Sequence, residues 1–167
     1  MSIHFHELTI SDIRKETNDC ISIAFDIPQH LQNTFRFREG QNITLRTNLN
    51  GEEIRRSYSI CSAPGEQELR VAIKAVDQGR FSVFANLQLK KGDRIEVLPP
   101  TGKFNTTLDP TQKKNYLAFA AGSGITPIFS IIKTVLATEP SSEFTLVYGN
   151  RNRNSIIFRE ALEALKN

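Results

Sequence analysis

The chain has 167 residues and a formal net charge of +3, and 39% of its residues are hydrophobic and 23% are charged. These values are ordinary for one globular domain or for two small ones. They argue against a nucleic-acid-binding face, which needs clustered Lys and Arg, and no apolar run reaches the length of a membrane span. The two cysteines, Cys20 and Cys61, are too few for a disulfide scaffold and favour a reducing, cytoplasmic setting.

Repeated turn signals divide residues 3–104 into short segments that are typical of β-strands. Asn50-Gly51, between the third and the fourth segment, is a strong hairpin signal because both residues tolerate positive φ. Six strands at this spacing predict a small sandwich or a closed barrel. The predicted strands cover residues 5–10, 20–27, 42–47, 54–60, 68–76 and 94–98.

The fourth predicted strand carries polar residues in its middle. Arg56 and Tyr58 fall on one face of it, because side chains two residues apart on a strand point the same way. A guanidinium beside an aromatic ring suits a ligand that has both a phosphate and a flat ring. The alternative is a solvent-facing strand with a surface arginine and an ordinary tyrosine.

A short helix is predicted over residues 80–89, where apolar residues follow a helical spacing. Gly79 stands just before it and lets the backbone come close to a ligand. Free N–H groups at a helix start form a natural anion site, to which Arg80 and Ser82 would add side-chain donors. The alternative is an ordinary loop that caps a helix.

The composition changes at residues 105–114, a polar, proline-containing segment that predicts a domain boundary. Beyond it the pattern becomes strand, glycine turn, helix, strand and helix. Residues 116–121 form a continuous apolar run, typical of a parallel strand that is covered on both faces. The later elements are predicted over residues 125–137, 144–148 and 155–166, and the whole is a βαβα unit with a right-handed crossover.

The glycine turn before the second helix is a third candidate site. Gly122 and Gly124 let the backbone approach a pyrophosphate, although Pro127 stands where the dinucleotide fingerprint has its last glycine. Arg151 and Arg153 follow the next strand with no acidic residue beside them, and arginines suit a 2′-phosphate. The sequence therefore favours NADPH over NADH. The alternatives are a plain strand-to-helix turn and a solvated loop.

Five motifs occur in a characteristic order along the chain. They are Arg56-Ser57-Tyr58-Ser59, Gly79-Arg80-Phe81-Ser82, Pro100-Thr101-Gly102-Lys103-Phe104, Gly122-Ser123-Gly124-Ile125-Thr126-Pro127 and Tyr148-Gly149-Asn150-Arg151. The series resembles the ferredoxin–NADP reductase superfamily, and within it the reductase components of oxygenase systems of the phenylacetyl-CoA (epoxidase) type. The resemblance covers nearly the whole chain.

The resemblance implies a fold and a division of the chain. It implies an all-β, six-stranded antiparallel FAD-binding barrel with one short helix over residues 1–104, and a linker over residues 105–114. Residues 115–167 would be the first half of a Rossmann-like α/β domain that binds NAD(P). The other half, and a plant-type ferredoxin domain with a 2Fe–2S cluster, would lie outside this chain, which we expect to be a fragment.

The same resemblance implies roles for individual residues in FAD binding. Arg56 would hold the pyrophosphate, Tyr58 would stack on the isoalloxazine, and Ser59 would hydrogen-bond near flavin N5, the atom that accepts hydride. Ile73 and Lys74 would line the flavin through backbone contacts. The other FAD contacts would come from Ser57, Gly79, Arg80, Phe81 and Ser82.

The nicotinamide nucleotide would lie at the glycine turn, with Thr126 near the flavin. Ser59 and Thr126 are therefore the expected catalytic positions, and no metal site is predicted. The nucleotide contacts are expected from Gly122, Ser123, Gly124, Ile125, Thr126, Asn150 and Arg151.

The implied function is the transfer of electrons from NADPH, or alternatively NADH, through FAD to an iron–sulfur centre that serves an oxygenase. The expected partners are a ferredoxin-like domain and the oxygenase component. The alternative is a non-catalytic barrel that binds flavin or another protein. Because a half-domain of roughly 50 residues is marginal as an independent fold, we also expect it to self-associate or to stay mobile.

Overall fold

Six antiparallel strands form the N-terminal sheet of this computed structural model, which describes residues 4–166. The strands are β1 (His6–Thr17), β2 (Cys20–Asp26), β3 (Asn42–Leu49), β4 (Glu52–Ser59), β5 (Leu69–Lys74) and β6 (Arg94–Val97). They follow the order β4-β3-β6-β1-β2-β5 across the sheet. A bridge between Ile60 and Val71 places the end of β4 against β5, so the two outer strands meet. The predicted six-stranded antiparallel barrel is confirmed.

A tight turn joins β3 to β4. Asn50 and Gly51 have φ values of 55° and 83°, the left-handed conformation that makes this dipeptide a hairpin signal. The turn fixes the register of the hairpin, in which Asn42 lies opposite Ser59. It thereby decides which face of β4 carries Arg56 and Tyr58.

The first strand is longer than the sequence pattern predicted. It continues to Thr17 instead of ending at Ile10, and its pairing with β2 shifts between Ile10 and Asp12 and again between Lys15 and Thr17. Such bulges insert an extra residue and interrupt the two-residue alternation. The alternation that marks residues 5–10 therefore ends at the first bulge, although the strand continues to Thr17.

Apolar side chains from all six strands fill the barrel. Phe81, from α1 (Arg80–Gln88) between β5 and β6, joins them and is 1% exposed. Burying a large apolar side chain contributes about 1.5–3 kcal/mol, so this set dominates the stability of the barrel. Its fully enclosed members include Leu8, Ile10, Ile23, Ile43, Leu45, Ile60, Val71 and Ile73.

A buried arginine lies on the other side of β5. Arg70 is 4% exposed, and its guanidinium donates to the carboxylates of Asp12 and Glu68 and to the hydroxyl of Ser22. These hydrogen bonds hold the pKa of both carboxyl groups below the usual range. The cluster ties β1, β2 and β5 together outside the barrel core.

The second unit has two parallel strands and two helices: β7 (Asn115–Ala121), α2 (Ile125–Thr138), β8 (Glu143–Gly149) and α3 (Arg159–Ala164). One face of α2 packs on the sheet through buried residues that include Ile128 and Ile132. The predicted strand, glycine turn, helix and strand are confirmed. Within residues 4–166, no helix has the length and apolar character needed to cross a membrane.

The last helix begins later than predicted, at Arg159 instead of residue 155. Phe158 adopts a φ of 60°, which a helix cannot accommodate, and its ring stacks on Phe129 at a centroid distance of 4.6 Å. Ile157 beside it is 0% exposed. Packing of these two side chains against α2 therefore overrides the local helical pattern.

A buried carboxylate anchors segment 105–114, which contains no helix or strand. Glu139, at the end of α2, has no exposed surface and accepts hydrogen bonds from the Asp109 N–H at 3.0 Å, the Tyr116 hydroxyl at 2.9 Å and the Ser142 hydroxyl at 2.8 Å. The bond from the Asp109 backbone is the main reason that the pKa of Glu139 is lowered. The carboxylate thus fastens the segment to the second unit.

We expect Glu139→Gln to destabilise the chain at neutral pH and much less in acid. The folded-state pKa of Glu139 lies below its ordinary value of 4.5, so the ionised group adds stability above that value and the contribution is lost as the pH falls through the folded-state pKa. Urea unfolding of both proteins at neutral pH and at a pH below the folded-state pKa of Glu139 measures the difference. An equal difference at the two pH values would show that the charge is not what matters.

The sheet of β7 and β8 is covered on one face only. Leu117, Phe119 and Val147 are 61%, 70% and 49% exposed on the face opposite α2. The predicted cover on both faces is therefore missing among the described residues. Each of the two strands also has one edge without a strand partner in this part of the chain.

We expect the 167-residue chain to self-associate at raised concentration, because an exposed apolar face with unpaired edges favours pairing. Leu117→Lys should shift the population towards monomer. Leu87→Lys on α1, at a side chain that is 77% exposed, is the matched control and should leave it unchanged. Light scattering across a concentration series measures the shift. A monomer at every concentration, with strong amide protection in β7 and β8, would contradict the expectation.

Candidate cofactor-binding site

A cavity of about 500 Å³ lies where the barrel meets the second unit. The end of β4, part of β5 and the start of α1 form one side, and the glycine turn with the first turn of α2 forms the other. The three candidate sites of the sequence thus open into one space. The lining residues are Arg56, Ser57, Tyr58, Ser59, Ala72, Lys74, Val76, Gly79, Phe81, Ser82, Ser123, Gly124, Thr126 and Pro127.

Tyr58 provides an aromatic surface in the cavity. Its half-buried ring lies 5.8 Å from the ring of Phe81. Burial raises the pKa of Tyr58 to about 12, against a smaller opposing effect of the Arg56 charge. The phenol is therefore neutral at physiological pH and can pack against a flat, largely apolar ring system.

Arg56 and Arg55 are neighbours with different surroundings. The Arg55 guanidinium lies 2.6 Å from Glu53 and also over the ring of Phe5. Arg56 lines the cavity and donates to the carbonyl oxygen of Arg55 at 2.7 Å, and it forms no ion pair within residues 4–166. A guanidinium without a carboxylate partner beside Tyr58 is suited to a phosphate.

The start of α1 requires a glycine. A Cβ atom on Gly79 would lie 2.4 Å from the Ser82 hydroxyl oxygen and 3.0 Å from the carbonyl oxygen of Val76. No side chain caps the helix, because the N-cap residue is Gly79 itself. The Ser82 hydroxyl accepts from the Val76 N–H and donates to the Gly79 carbonyl, each at 3.2 Å. The N–H groups of the first turn have no partner inside the helix, so this end can bind an anion.

Arg80 points away from the cavity. Its guanidinium forms an ion pair with Glu52 and donates to the carbonyl oxygen of Leu49 at 3.5 Å, so it lies against the β3–β4 hairpin. The charge of Arg80 is therefore not among the cavity-lining groups, and only its backbone N–H remains for the predicted FAD contact. The pairing partner is 28 residues away in the sequence, which no local pattern shows.

On β5, the side chains that line the cavity are Ala72 and Lys74. Ile73 between them points into the barrel with 0% exposure, and its carbonyl oxygen accepts from the Asn86 amide at 2.9 Å. Any contact between Ile73 and a flavin is thus a backbone contact, as predicted, and it stays a prediction. Sequence reasoning missed Ala72, which the alternation of β5 places on the same face as Lys74.

The glycine turn is a short 3₁₀ segment that leads directly into α2. Gly122 has a φ of 50°, and Ser123 and Gly124 line the cavity. Thr126 is 6% exposed and donates its hydroxyl proton to the Ser123 carbonyl at 3.0 Å. Pro127 is tolerated because it falls in the first helical turn, where N–H groups have no intrahelical acceptor.

The end of β8 lies beside the glycine turn. The Tyr148 hydroxyl donates to the Gly122 carbonyl at 2.8 Å and ties the two together. The amide nitrogen and oxygen of Asn150 are both buried and have no hydrogen-bond partner within residues 4–166. Asn150 lies beside the Tyr148 hydroxyl and is not among the residues that line the cavity, so its predicted contact with a nucleotide stays a prediction.

The other predicted nucleotide contacts lie at different places. Ile125 is 0% exposed and belongs to the core of the second unit, so only its backbone can reach a nucleotide. Arg151 is exposed just beyond β8. Arg153 lines a second, larger cavity together with Phe158 and Arg159 instead of the cavity of Tyr58.

The residues present fit FAD and a pyridine nucleotide. One side of the cavity combines the Arg56 guanidinium, a neutral aromatic ring and a helix start held open by Gly79, which suits a flavin and a pyrophosphate. The other side is a glycine turn at the carboxyl end of a parallel strand, where nucleotides bind in α/β sheets.

Comparison with family models agrees with this division. Residues 7–106 match the oxidoreductase FAD-binding domain, and residues 119–167 match the oxidoreductase NAD-binding domain. The chain belongs to the ferredoxin–NADP reductase family. The resemblance inferred from the five motifs is confirmed.

Curated relatives include a component of the 1,2-phenylacetyl-CoA epoxidase of Escherichia coli K12, which is 48% identical over 97% of this chain and 46% of its own length. The ferredoxin reductase component of a 3-ketosteroid-9-alpha-monooxygenase from Rhodococcus rhodochrous is 40% identical over 95% of this chain and 44% of its own length. The chain therefore spans about half the length of the curated relatives it matches.

Solved structures show the same fold. Phthalate dioxygenase reductase, described as modular for electron transfer from pyridine nucleotides to [2Fe–2S], superposes with a TM-score of 0.77 at 30% identity over 95% of this chain and 47% of that one. A ferredoxin NADP+ reductase from Neisseria gonorrhoeae with bound FAD and NADP gives 0.79 at 25% identity over 97% of this chain and 64% of that one.

We expect Arg56→Ala to weaken FAD binding about tenfold to a hundredfold, because a charge-assisted hydrogen bond is worth about 1.5–3 kcal/mol. Arg55→Ala is the matched control, since it removes the same side chain from a position paired with Glu53. Titration of the flavin-free chain with FAD, followed by flavin fluorescence, gives both affinities. Equal losses in the two variants would remove Arg56 from the site.

Proposed function

We propose that this chain forms the FAD-binding and nicotinamide-binding part of a reductase that passes electrons from NADPH through FAD to an iron–sulfur centre serving an oxygenase. The single observation that carries the proposal is the shared cavity, into which both Tyr58 of the barrel and Thr126 of the second unit open. Transfer of a hydride from a nicotinamide to a flavin requires that both rings reach the same space.

The side chains of β4 bind and orient the flavin in this proposal. Arg56 neutralises the pyrophosphate together with the free N–H groups at the start of α1, and the neutral Tyr58 packs on the ring system. Ser59, which is half-buried at the strand end, donates a hydrogen bond near flavin N5. When bound, FAD supplies the acceptor for the electrons of the nicotinamide and passes them on.

The second unit orients the nicotinamide nucleotide. Gly122 and Gly124 allow a pyrophosphate to approach the backbone, and Asn150 and Arg151 at the end of the neighbouring strand are the other proposed nucleotide contacts. Thr126 lies on the cavity side of the same turn, with its hydroxyl proton directed to Ser123, so its oxygen can only accept from a ligand.

The downstream acceptor is proposed from the relatives. The names of the similar proteins describe components of an epoxidase and a monooxygenase, and phthalate dioxygenase reductase is described with a [2Fe–2S] acceptor. Only Cys20 and Cys61 occur in this sequence, and a cluster needs about four ligands. We therefore assign the iron–sulfur centre to a ferredoxin-like domain outside these residues, and the substrate system to phenylacetate degradation.

Both cysteines support the proposed reducing, cytoplasmic setting. They are free and buried, and burial raises the pKa of each thiol to about 12. A chain that uses its cysteines as small core residues has no need of an oxidising compartment.

NADPH is the proposed coenzyme, with NADH as the alternative. Arg151 is exposed immediately beyond β8, and the stretch from Gly149 to Ser155 contains two arginines and no acidic residue. An acidic side chain in this region would accept hydrogen bonds from the ribose hydroxyls of NADH, whereas a guanidinium favours the 2′-phosphate of NADPH.

The test is the bleaching of the bound flavin. We expect the full-length protein that contains this chain, loaded with FAD, to be yellow and to lose its colour faster with NADPH than with NADH. Replacing Arg151 and Arg153 together should erase the preference, and Arg151→Ala alone should remove most of it. Arg153→Ala is the matched control, because that side chain lines the other cavity. Stopped-flow absorbance measures the rates, and equal rates for both coenzymes in the unaltered protein would exclude the 2′-phosphate contact.

The competing function is a barrel that binds flavin or protein without electron transfer. It would need neither the glycine turn nor Arg151. A colourless chain that takes up no FAD on reconstitution, or a yellow one that neither coenzyme bleaches, would favour this second function.

A further inference from the structure

Two polar contacts join α2 to the loop that follows β4, on the side of the interface away from the cofactor cavity. The Ser130 hydroxyl donates to the carbonyl oxygen of Ser62 at 2.6 Å, and both residues are buried, with 0% and 1% of their surface exposed. One turn further along α2, the Lys133 ammonium lies 2.6 Å from the Glu66 carboxylate. We refer to these four residues as the interdomain pin.

The barrel side of the pin is held rigidly. The Ser62 hydroxyl accepts from the Arg70 N–H at 3.1 Å, so the residue whose carbonyl receives Ser130 is itself fastened to β5. The Glu66 carboxylate that pairs with Lys133 also accepts from the Ala63 N–H at 2.7 Å. The loop therefore presents both acceptors in fixed positions.

The helix side is rigid as well. Lys133 lies across the ring of Phe129 at 4.3 Å and is only 15% exposed, so its stem is packed and not free to swing. Ser130 sits inside a continuous helix of 14 residues. A shift of α2 relative to the barrel would break both contacts together.

The pin lies on the same two chain segments as the proposed reacting centre. Ser62 follows Ser59 by three residues, and Ser130 follows Thr126 by four, which along a helix is about 6 Å. Neither Ser130 nor Lys133 lines the cofactor cavity, whereas Ser59 and Thr126 both do. The pin thus fixes the relative position of the two residues without touching a ligand.

We propose that Ser130, assisted by Lys133, is a positioning residue that sets the distance between the flavin and the nicotinamide. The proposal rests on the function proposed above. Reacting atoms must approach to about 3–3.5 Å, and a displacement of about 1 Å caused by a distant substitution costs on the order of a hundredfold in rate. A hydrogen bond between buried partners across the interface is suited to prevent a displacement of that size.

The kinetic test compares two hydroxyl deletions on one helix. Ser130→Ala removes the bond to the barrel, and Thr134→Val removes a bond that stays inside α2, from the Thr134 hydroxyl to the Ser130 carbonyl at 2.7 Å. We expect Ser130→Ala to lower the limiting rate of flavin bleaching at saturating NADPH about tenfold to a hundredfold with FAD affinity unchanged. Thr134→Val should leave the bleaching rate within about twofold of that of the unaltered protein. Ser130→Thr keeps the hydroxyl and should retain most of that rate.

A second measurement needs no cofactor. In the flavin-free chain, Ser130→Ala should speed amide hydrogen exchange both in residues 61–66 and in the first turn of α2, whereas Thr134→Val should not affect residues 61–66. Equal bleaching rates, or equal exchange, in the two variants would overturn the proposal. These bleaching rates are measured on the full-length protein that contains this chain. If that protein without substitutions is not bleached by either coenzyme, the proposed function fails and the positioning role fails with it, even where exchange shows that the contact exists.

Discussion

The buried side chain of Arg70 holds together the parts of the barrel on which the site depends. Its guanidinium satisfies two carboxylates from β1 and from the start of β5, and its backbone accepts from the Cys61 N–H and donates to the Ser62 hydroxyl. A charge can be buried at this depth only when it is paired and fully hydrogen-bonded, and removing one partner of such a pair costs about 3–5 kcal/mol. The loop that meets α2 therefore takes its position from an ion cluster outside the apolar core.

Two kinds of interaction stabilise this arrangement. Apolar packing closes the barrel and forms the core beneath α2, but it is non-directional and tolerates small shifts. Hydrogen bonds between the two units have fixed lengths and angles. The second apolar core includes Cys20, Cys61 and Ala72 of the barrel together with α2, so apolar packing holds the two units against each other, and the hydrogen bonds between them add direction to that contact.

Much of the fold is visible in local sequence patterns because it depends on local chemistry. Asn50-Gly51 predicted the hairpin through its backbone preferences. The apolar runs at residues 116–121 and 144–148 predicted the two parallel strands. The extension of β1 and the late start of α3 were not visible. A bulge after Ile10 changes the alternation without any distinctive residue, and the left-handed Phe158 is favoured only by its stacking on Phe129, which is 29 positions earlier in the chain.

The same difference between local patterns and contacts of distant residues applies to the candidate site. Arg56 and Tyr58 were found because alternation along one strand is enough to place them on one face. The orientation of the Arg80 side chain was not predicted, since it is set by an ion pair with Glu52. The burial of the Asn150 amide is also beyond local reasoning, because an asparagine in a polar loop gives no sign that both of its polar atoms will be enclosed.

The placement of the two cysteines has a consequence for chemical durability. Thiols react with oxidants and with disulfides as thiolates, and groups with a pKa of about 12 present almost none at neutral pH. Peroxide therefore finds neither an accessible sulfur atom nor a thiolate at Cys20 or Cys61. A cysteine introduced on the surface of this chain would therefore be its only thiol that reacts readily with maleimide or binds to a gold electrode.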